Sequence, residues 1–178
     1  GSVSVGGGSF DSKDLSAAVG GGLKTFGVFV AGSAHESDRF LDPVDPRNFH
    51  NRGGEASVDV RADWRIKDSD IVRVAGTAHG GNFRVPNTPD QQETGQDQRQ
   101  EVRHDHESIS WQHTWSPNTL TDLAYFRDFF RSELIPSLLD TPLTSEQNRH
   151  HTRQGVLASV THITYGHTIK AGLEASRI

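Results

Sequence analysis

The stretch 57–66, SVDVRADWRI, decides the fold of this chain. Apolar residues occupy every second position from Val58 to Ile66, and the positions between them are polar or charged. Side chains at alternate positions of an extended strand point to opposite faces, so the stretch predicts a β-strand with one apolar and one charged face. The strand ends on Trp64 before a tight polar turn at 67–70, which is typical of a strand between lipid and water.

Composition excludes several classes of protein. Only 33% of the 178 residues are hydrophobic, yet the apolar residues recur at alternate positions, which is how membrane β-barrels escape hydropathy analysis. The sequence has no run of about 18 apolar residues, so it predicts no membrane helix. A formal net charge of −5 gives no basic footprint for nucleic acid, and the absence of Cys excludes disulfides and thiolate metal sites.

Alternation and turn residues predict nine strands in all. The predicted strands are 2–10, 15–19, 23–35, 57–66, 70–81, 106–115, 119–132, 153–165 and 168–177. Short turns are predicted at 11–14, at the glycines 20–22, at 68–69, at 116–118 and at 166–167. Long loops are predicted at 37–54, 82–105 and 133–152, and the second of these is so polar that we expect it to be solvated and mobile.

The order of these connections indicates a membrane barrel. In an up-and-down meander every second connection lies on the same rim, so all three long loops share one rim and the other carries only tight turns. Long extracellular loops opposite short periplasmic turns are the pattern of outer-membrane barrels. We therefore expect an all-β fold, an antiparallel up-and-down meander of about nine strands, within a large transmembrane β-barrel of the bacterial cell outer membrane.

The alternation also assigns side chains to the two faces of the predicted barrel wall. Apolar side chains are expected to face lipid, namely Val58, Val60, Ala62, Trp64, Ile66, Ile109, Trp111, Trp115, Ile169 and Leu173. The charged side chains Asp59, Arg61, Asp63 and Arg65 are expected to face the lumen, because an Arg on the lipid face costs about 2–4 kcal/mol at the midplane. Trp64, Trp115 and Tyr165 each precede a short turn and predict an aromatic belt at the periplasmic interface.

The chain is expected to be a piece of a longer protein. It contains no Met, it shows no secretion signal at its start, and it stops within an alternating strand pattern. We therefore interpret residues 1–178 as one partial barrel domain.

Several stretches resemble the barrel of TonB-dependent outer-membrane receptors. They are GGGSF at 6–10, LKTFGVFV at 23–30 leading to SDRF at 37–40, NFHN at 48–51 before RGG, and HTIKAG at 167–172. The resemblance covers nearly the whole chain. Such receptors have 22 strands, an N-terminal plug and a TonB box, and neither the plug nor the box is recognisable in this sequence.

The resemblance implies uptake of a scarce solute. A ferric siderophore, cobalamin or an oligosaccharide would bind the extracellular loops and the plug, and the TonB energising complex would act through the plug. The remaining partners implied are outer-membrane lipids, and no cofactor is expected. Candidate ligand contacts on the predicted loop rim are Arg47, His50, Arg84, His104, His106, His150 and His151.

Enzymatic and metal sites are not predicted. The 10 histidines include His104 and His106 around Asp105, but no spacing fixes a coordination geometry, so solvated loop histidines are the preferred interpretation. No G-x-S-x-G, P-loop or H-E-x-x-H motif is present.

Two alternatives stay open. The first is a soluble extracellular β-sandwich or carbohydrate-binding module, in which a second sheet would cover Val58, Trp64, Ile109 and Leu173, and the second is an outer-membrane barrel enzyme.

Overall fold

A computed structural model describes residues 1–140 and 144–178. Its elements in chain order are β1 (Ser2–Gly8), β2 (Ser12–Gly22), β3 (Phe26–Ser37), β4 (Gly53–Lys67), β5 (Asp70–Arg84), α1 (Pro89–Glu93), β6 (Arg99–Ser116), β7 (Thr119–Ile135), β8 (Gln147–Thr164) and β9 (His167–Arg177). No helix in this part of the chain is long and apolar enough to cross a membrane.

The nine strands form one antiparallel sheet in which every strand pairs with its neighbours in sequence. This confirms the predicted all-β, up-and-down meander. The sheet is open, since β1 and β9 do not pair with each other.

One rim of the sheet carries only short turns, and the other carries the three long loops and the short turn 9–11. The turns that follow β2, β4, β6 and β8 are two or three residues long and share one rim, called here the turn rim. The last of these turns places Tyr165 and Gly166 at positive φ, which matches the twist of a tight hairpin. The long loops 38–52 and 85–98 and the described residues of the third loop, 136–140 and 144–146, share the other rim, called here the loop rim.

The strand register gathers the apolar side chains onto one face, called here the apolar face. Val58 and Val60 lie opposite Ala78 and Gly76 of β5, and Trp64 lies opposite Val72. The same face continues through Ile109 and Trp111 of β6 to Leu173 of β9. The side chains of Asp59, Arg61, Asp63 and Arg65 lie on the opposite, polar face.

The apolar face has nothing packed over it in the described part of the chain. Phe126, 7% exposed, is the one buried hydrophobic residue found there, and it lies on the polar face. The sandwich alternative predicted a second sheet over four residues, but Val58, Trp64, Ile109 and Leu173 are 42, 53, 49 and 65% exposed. That prediction is wrong for the described residues, because all their strands belong to one sheet.

The predicted turn at the second glycine run is wrong. Gly20, Gly21 and Gly22 belong to β2 and pair with Phe29, Val28 and Gly27, and the chain turns at 23–25 instead. A Cβ at position 20 would lie 3.2 Å from Cδ2 of Phe29 on β3, so a larger residue there would require a small shift of the ring.

Most strands extend further toward the loop rim than predicted. Cross-strand pairing continues to Arg84 and Arg99, so the loop predicted at 82–105 is confined to 85–98. Likewise β7 reaches Ile135 and β8 begins at Gln147, within the loop predicted at 133–152. The ends of these strands could not be recognised by alternation, because near the loop rim both faces of the sheet carry polar side chains. At the other rim the last turn falls at 165–166, one residue before its predicted place.

Candidate functional site

The long loops fold against one another around buried polar side chains. Five polar residues are buried in the described part of the chain, and all lie in or next to the loops: Ser37, Asn51, Asn87, Gln96 and Asp140. No buried polar side-chain atom there lacks a hydrogen-bond partner. Residues 92–95 of the second loop are exposed, as expected of a solvated segment, and the predicted mobility of this loop stays a prediction.

Asn51 organises the first long loop. Its side chain is at the centre of the loop, and the residue is 2% exposed. Its Oδ1 accepts a hydrogen bond from the backbone N of Leu41 at 2.8 Å, and its Nδ2 donates to the carbonyl of Leu41 at 2.6 Å and to Oδ1 of Asn48 at 2.8 Å. One amide side chain thus holds together two segments of loop 38–52.

Asn87 connects the first and second loops. Its backbone N donates to the carbonyl of Phe49 at 3.2 Å, and its side-chain Nδ2 donates to the carbonyl of Gln96 at 2.9 Å. The short helix α1 lies between Asn87 and Gln96 and begins with a capping box formed by Thr88 and Gln91. The second loop is therefore closed on itself and fixed to the first.

His50 and Asp97 extend this network across all three loops. The side chain of His50 is 8% exposed, with Nδ1 2.9 Å from the carbonyl oxygen of Val85 and Nε2 2.6 Å from Oδ1 of Asp97. The backbone N of Asp97 donates to Oγ of Ser137 in the third loop at 3.2 Å. The side-chain hydrogen bond from Arg99, followed by that from His50, lowers the pKa of Asp97 to about 2.

Arg47 lies in loop 38–52 as predicted, whereas Arg84, predicted in the second loop, lies at the end of a strand. Arg47 makes a bidentate ion pair with Asp45, at 2.9 and 3.0 Å, and lies over the ring of Phe49 at 4.7 Å. The side-chain hydrogen bond from Arg47 lowers the pKa of Asp45 to about 2. Arg84 is the last residue of β5 and lies on the apolar-face side of the wall, opposite Arg99.

The four remaining histidine candidates lie in strands, which corrects the predicted place of His104, His150 and His151 in the loops; His106 was expected at the start of a strand. His104 and His106 point to the polar face from β6, opposite His79 and Thr77. His150 and His151 are neighbours in β8 and therefore point to opposite faces. The pair cannot act together on one ligand, because the strand alternation separates their side chains.

Beneath the loop rim, the polar face carries a band of histidines and carboxylates. Nδ1 of His35 lies 2.7 Å from Oδ1 of Asp14, and Nδ1 of His106 lies 2.6 Å from Oδ1 of Asp128. Nε2 of His79 lies 3.9 Å from Oε2 of Glu55. A groove of about 300 Å³ runs along this band; its polar lining includes Asp14, Ser33, His35, Glu55, Ser57 and His79. The side chains of this band can donate hydrogen bonds to a polar solute and accept hydrogen bonds from it.

In the described residues the band brings neither Ser33 nor Ser57 onto His35, and it assembles no metal site. A nucleophilic serine must reach a histidine nitrogen, but the hydroxyls of Ser33 and Ser57 bind each other at 2.9 Å, and His35 binds Asp14. No group of three His, Asp or Glu side chains there could hold a metal ion. Further down the same face the charges neutralise one another, since Asp63 accepts from Arg61 and from Arg73 at 2.7 Å each.

The buried polar residues that build the loop rim could not be recognised from the sequence. Asn51, Asn87 and Asp140 look like ordinary loop residues, because Asn and Asp are common in turns. In the stretch 48–51, Asn48 and His50 both adopt positive φ. Such a backbone indicates a tightly specified loop, but a positive φ cannot be read from the sequence alone.

These features together define a class of protein. It is an antiparallel β-meander with an exposed apolar face, a polar face rich in histidine and carboxylate, and interlocked loops along one rim. No protein-family model matches the chain, and no curated protein sequence matches it.

Proposed function

We propose that this chain forms part of the wall of a β-barrel that spans a bacterial outer membrane and belongs to a receptor that takes up a scarce solute. The uncovered apolar face supports membrane insertion. Burying a large apolar side chain contributes about 1.5–3 kcal/mol, so a face with this many exposed large side chains requires an apolar medium. The loop rim and the polar face would then be the surfaces that meet the solute.

The observation that carries the proposal is the stagger of the hairpins. Phe26, Trp64, Val72, Trp111, Leu123, Ala158 and Leu173 form one continuous row of cross-strand partners. Phe26 begins β3 and lies in this row, whereas the residues that begin β5, β7 and β9 lie two, four and six positions beyond it. Each hairpin is therefore displaced by two residues relative to the one before.

This stagger fixes the angle between the strands and the turn rim. A displacement of one residue, about 3.3 Å, for each interstrand step of about 4.8 Å corresponds to a tilt of about 35°. Closing a sheet into a barrel requires such a stagger, and membrane barrels tilt their strands by about 35–45°. Regular stagger over all four turn-rim hairpins supports a barrel wall, because a flat sheet has no need of it.

The apolar face follows the same tilt and has the height of a membrane. From Val58 to Ile66 the apolar stretch of β4 is about 27 Å long at about 3.3 Å per residue, or about 22 Å high after a 35° tilt. Outer-membrane barrels carry an apolar band about 25 Å high. Trp64, Trp115 and Tyr165 are exposed near the turn rim, where an aromatic belt would meet the lipid headgroups.

The loop rim supports a receptor that faces the cell exterior. Strands β6, β7 and β8 have 17 or 18 residues, whereas a tilted strand crosses the bilayer core in about 9–11. Their additional residues carry the loops beyond the membrane, where a solute from outside would arrive first. Solute contacts would come from the outer surfaces of loops 38–52 and 85–98, from residues 136–140 of the third loop and from the histidine band. Energy for uptake would come from the TonB complex through a plug.

Single cysteines on neighbouring positions test the membrane orientation. The chain has no Cys, so Val60→Cys and Asp59→Cys each introduce one labelling site. We expect a bimane dye at position 60 to be quenched by nitroxide-labelled phosphatidylcholine when the full chain is reconstituted in vesicles. The dye at position 59 should instead be quenched by aqueous iodide, because adjacent residues of a strand point to opposite faces. Equal iodide quenching at both positions would contradict a lipid-facing apolar face.

A dye on the loop rim tests solute binding. Val44 is exposed in loop 38–52, so Val44→Cys labelled with bimane should change fluorescence saturably with one of three probes: a ferric hydroxamate, cyanocobalamin or a maltooligosaccharide. Tyr165→Cys on the turn rim is the matched control and should not respond. If insertion is established and no probe produces a saturable change at position 44, uptake of these solute classes is rejected while the barrel wall stands.

A further inference from the structure

Both ring nitrogens of His50 face hydrogen-bond acceptors. Nδ1 lies 2.9 Å from the carbonyl oxygen of Val85, and Nε2 lies 2.6 Å from Oδ1 of Asp97. A carbonyl oxygen can only accept a hydrogen bond, and the same is true of an ionised carboxylate. A neutral imidazole has a single N–H and can satisfy only one of these two contacts. The arrangement therefore requires an imidazolium ring with a proton on each nitrogen.

Asp97 does not supply the second proton. Arg99 at the start of β6 donates to the carboxylate of Asp97, and this hydrogen bond is the main cause that lowers the pKa of Asp97 to about 2. Asp97 is therefore ionised throughout the range in which histidine changes its charge, about pH 5–8. Both protons of the contact belong to the ring of His50.

Other charged side chains next to these contacts do not titrate in that range. Asp45 and Arg47 of the first loop pair with each other, and the hydrogen bond from Arg47 holds the pKa of Asp45 at about 2. In the third loop, burial raises the pKa of Asp140, but hydrogen bonds from Ser137 outweigh burial and the pKa lies below its ordinary value. The guanidinium groups at the neighbouring strand ends stay charged, namely those of Arg84 and Arg99. A pH change in this range therefore acts on the contact through the imidazole.

The contact joins the first long loop to the second. Val85 and Asp97 lie near the two ends of loop 85–98, and His50 reaches both of them from loop 38–52. Beside it, the backbone N of Asn87 donates to the carbonyl of Phe49 at 3.2 Å and joins the same two loops. The side chain of His50 is only 8% exposed, so a lost partner costs free energy unless the loops move apart and admit water.

We propose that the second proton on His50 fixes the first loop to the second, so that the loop rim is closed at mildly acidic pH and opens as the pH rises. The direction follows from the number of bound protons. Closed loops hold one proton more than open loops, so they lose stability as the pH rises. This pH dependence goes beyond solute uptake and does not depend on the membrane orientation.

Hydrogen exchange of the full chain at about pH 5 and about pH 8 tests this contact. The amide of Asn87 reports on the joining of the two loops, because it donates to Phe49. The amide of Leu41, which donates to Asn51 within the first loop, is the internal reference. We expect the protection factor of Asn87, corrected for the intrinsic rise of exchange with pH, to fall by about tenfold at the higher pH, because a hydrogen bond to a charged group is lost. The protection factor of Leu41 should change little.

His50→Gln should remove the pH dependence and leave Asn87 weakly protected at both pH values, because a glutamine side chain does not change its charge. His162→Gln is the matched control, since His162 is exposed at the turn rim, where its Nδ1 lies 2.9 Å from the hydroxyl of Thr119. In this control the pH dependence should persist. Equal protection of Asn87 at both pH values in the unaltered protein, or a fall that persists in His50→Gln, would overturn the proposal.

Asp97→Asn provides a second test if glutamine at position 50 prevents the loops from folding. Asparagine keeps an acceptor oxygen but removes the negative charge that favours the imidazolium, so Asn87 should lose its protection at a lower pH than in the unaltered protein. Ring nitrogen chemical shifts measure the protonation of His50 directly. Loss of a ring proton from His50 without loss of protection at Asn87 would contradict a proton-dependent closure of the loops.

Discussion

Gly53→Ala is expected to destabilise the protein by about 1–3 kcal/mol, the usual cost of overpacking a fixed site. Gly53 begins β4 beneath two stacked aromatic rings, Phe40 of the first long loop and Phe83 of β5, whose centroids are 5.4 Å apart. A Cβ at position 53 would lie 2.5 Å from Cβ of Phe83 and 2.6 Å from Cγ of Phe40. Neither atom is the flexible end of a side chain, so the loop must move away from the sheet.

Gly21→Ala is the matched control for this change. Gly21 also lies in a strand, but a Cβ there would have no atom within 4 Å, and its φ is compatible with any residue. We expect Gly21→Ala to leave the guanidinium midpoint, followed by tryptophan fluorescence, unchanged or slightly raised, because alanine loses less backbone entropy than glycine. Equal midpoints for both variants would show that loop 38–52 does not pack over Gly53 as described.

Asn51→Ala is expected to unfold loop 38–52 at a cost of about 2–4 kcal/mol. The substitution removes three hydrogen bonds and leaves the backbone N and carbonyl of Leu41 without these partners; an unsatisfied buried polar group costs about 1–3 kcal/mol. Hydrogen exchange measures the effect directly. We expect the amides of Phe40 and Leu41, which donate to Asn51, to lose most of their protection.

Asn148→Ala provides the control, because Asn148 is exposed at the start of β8 and has the same side chain. Its exchange pattern should match that of the unaltered protein. The sheet amides of β4 and β5 should keep their protection in both variants, since the loop lies beyond the strands. Unchanged protection at Leu41 after Asn51→Ala would contradict the central role of Asn51 in the loop.

The strands could be predicted near the turn rim because one of their two faces is apolar there and the other is polar. In an extended chain the alternating residues from Val58 to Ile66 place all their apolar side chains on one face of the sheet. The residues of β9 do the same. Strand β7 could not be oriented, because both of its faces carry aromatics. Its pairing with β6 places Leu123 and Tyr125 on the apolar face and Phe126 and Phe130 on the polar face.

The candidate site was less predictable than the fold. Histidines suggested the loop rim, but His104 and His151 belong to the strands and lie on the polar face, whereas His150 lies on the opposite side. Residue type alone cannot show which polar residues are buried, because an exposed loop asparagine and a buried loop asparagine look the same in the sequence. Asn51 and Asn87 became recognisable only through the backbone groups that they bind.

The sequence by itself determined the fold class, the number of strands and the rims on which the loops lie, because period-two alternation and turn residues are local properties of the chain. Only the tertiary structure decided the stagger of two residues per hairpin and the interlocking of the loops through Asn51 and His50. These features depend on register between strands and on contacts between distant loops. Register is set by all the cross-strand pairs together, so no single stretch encodes it.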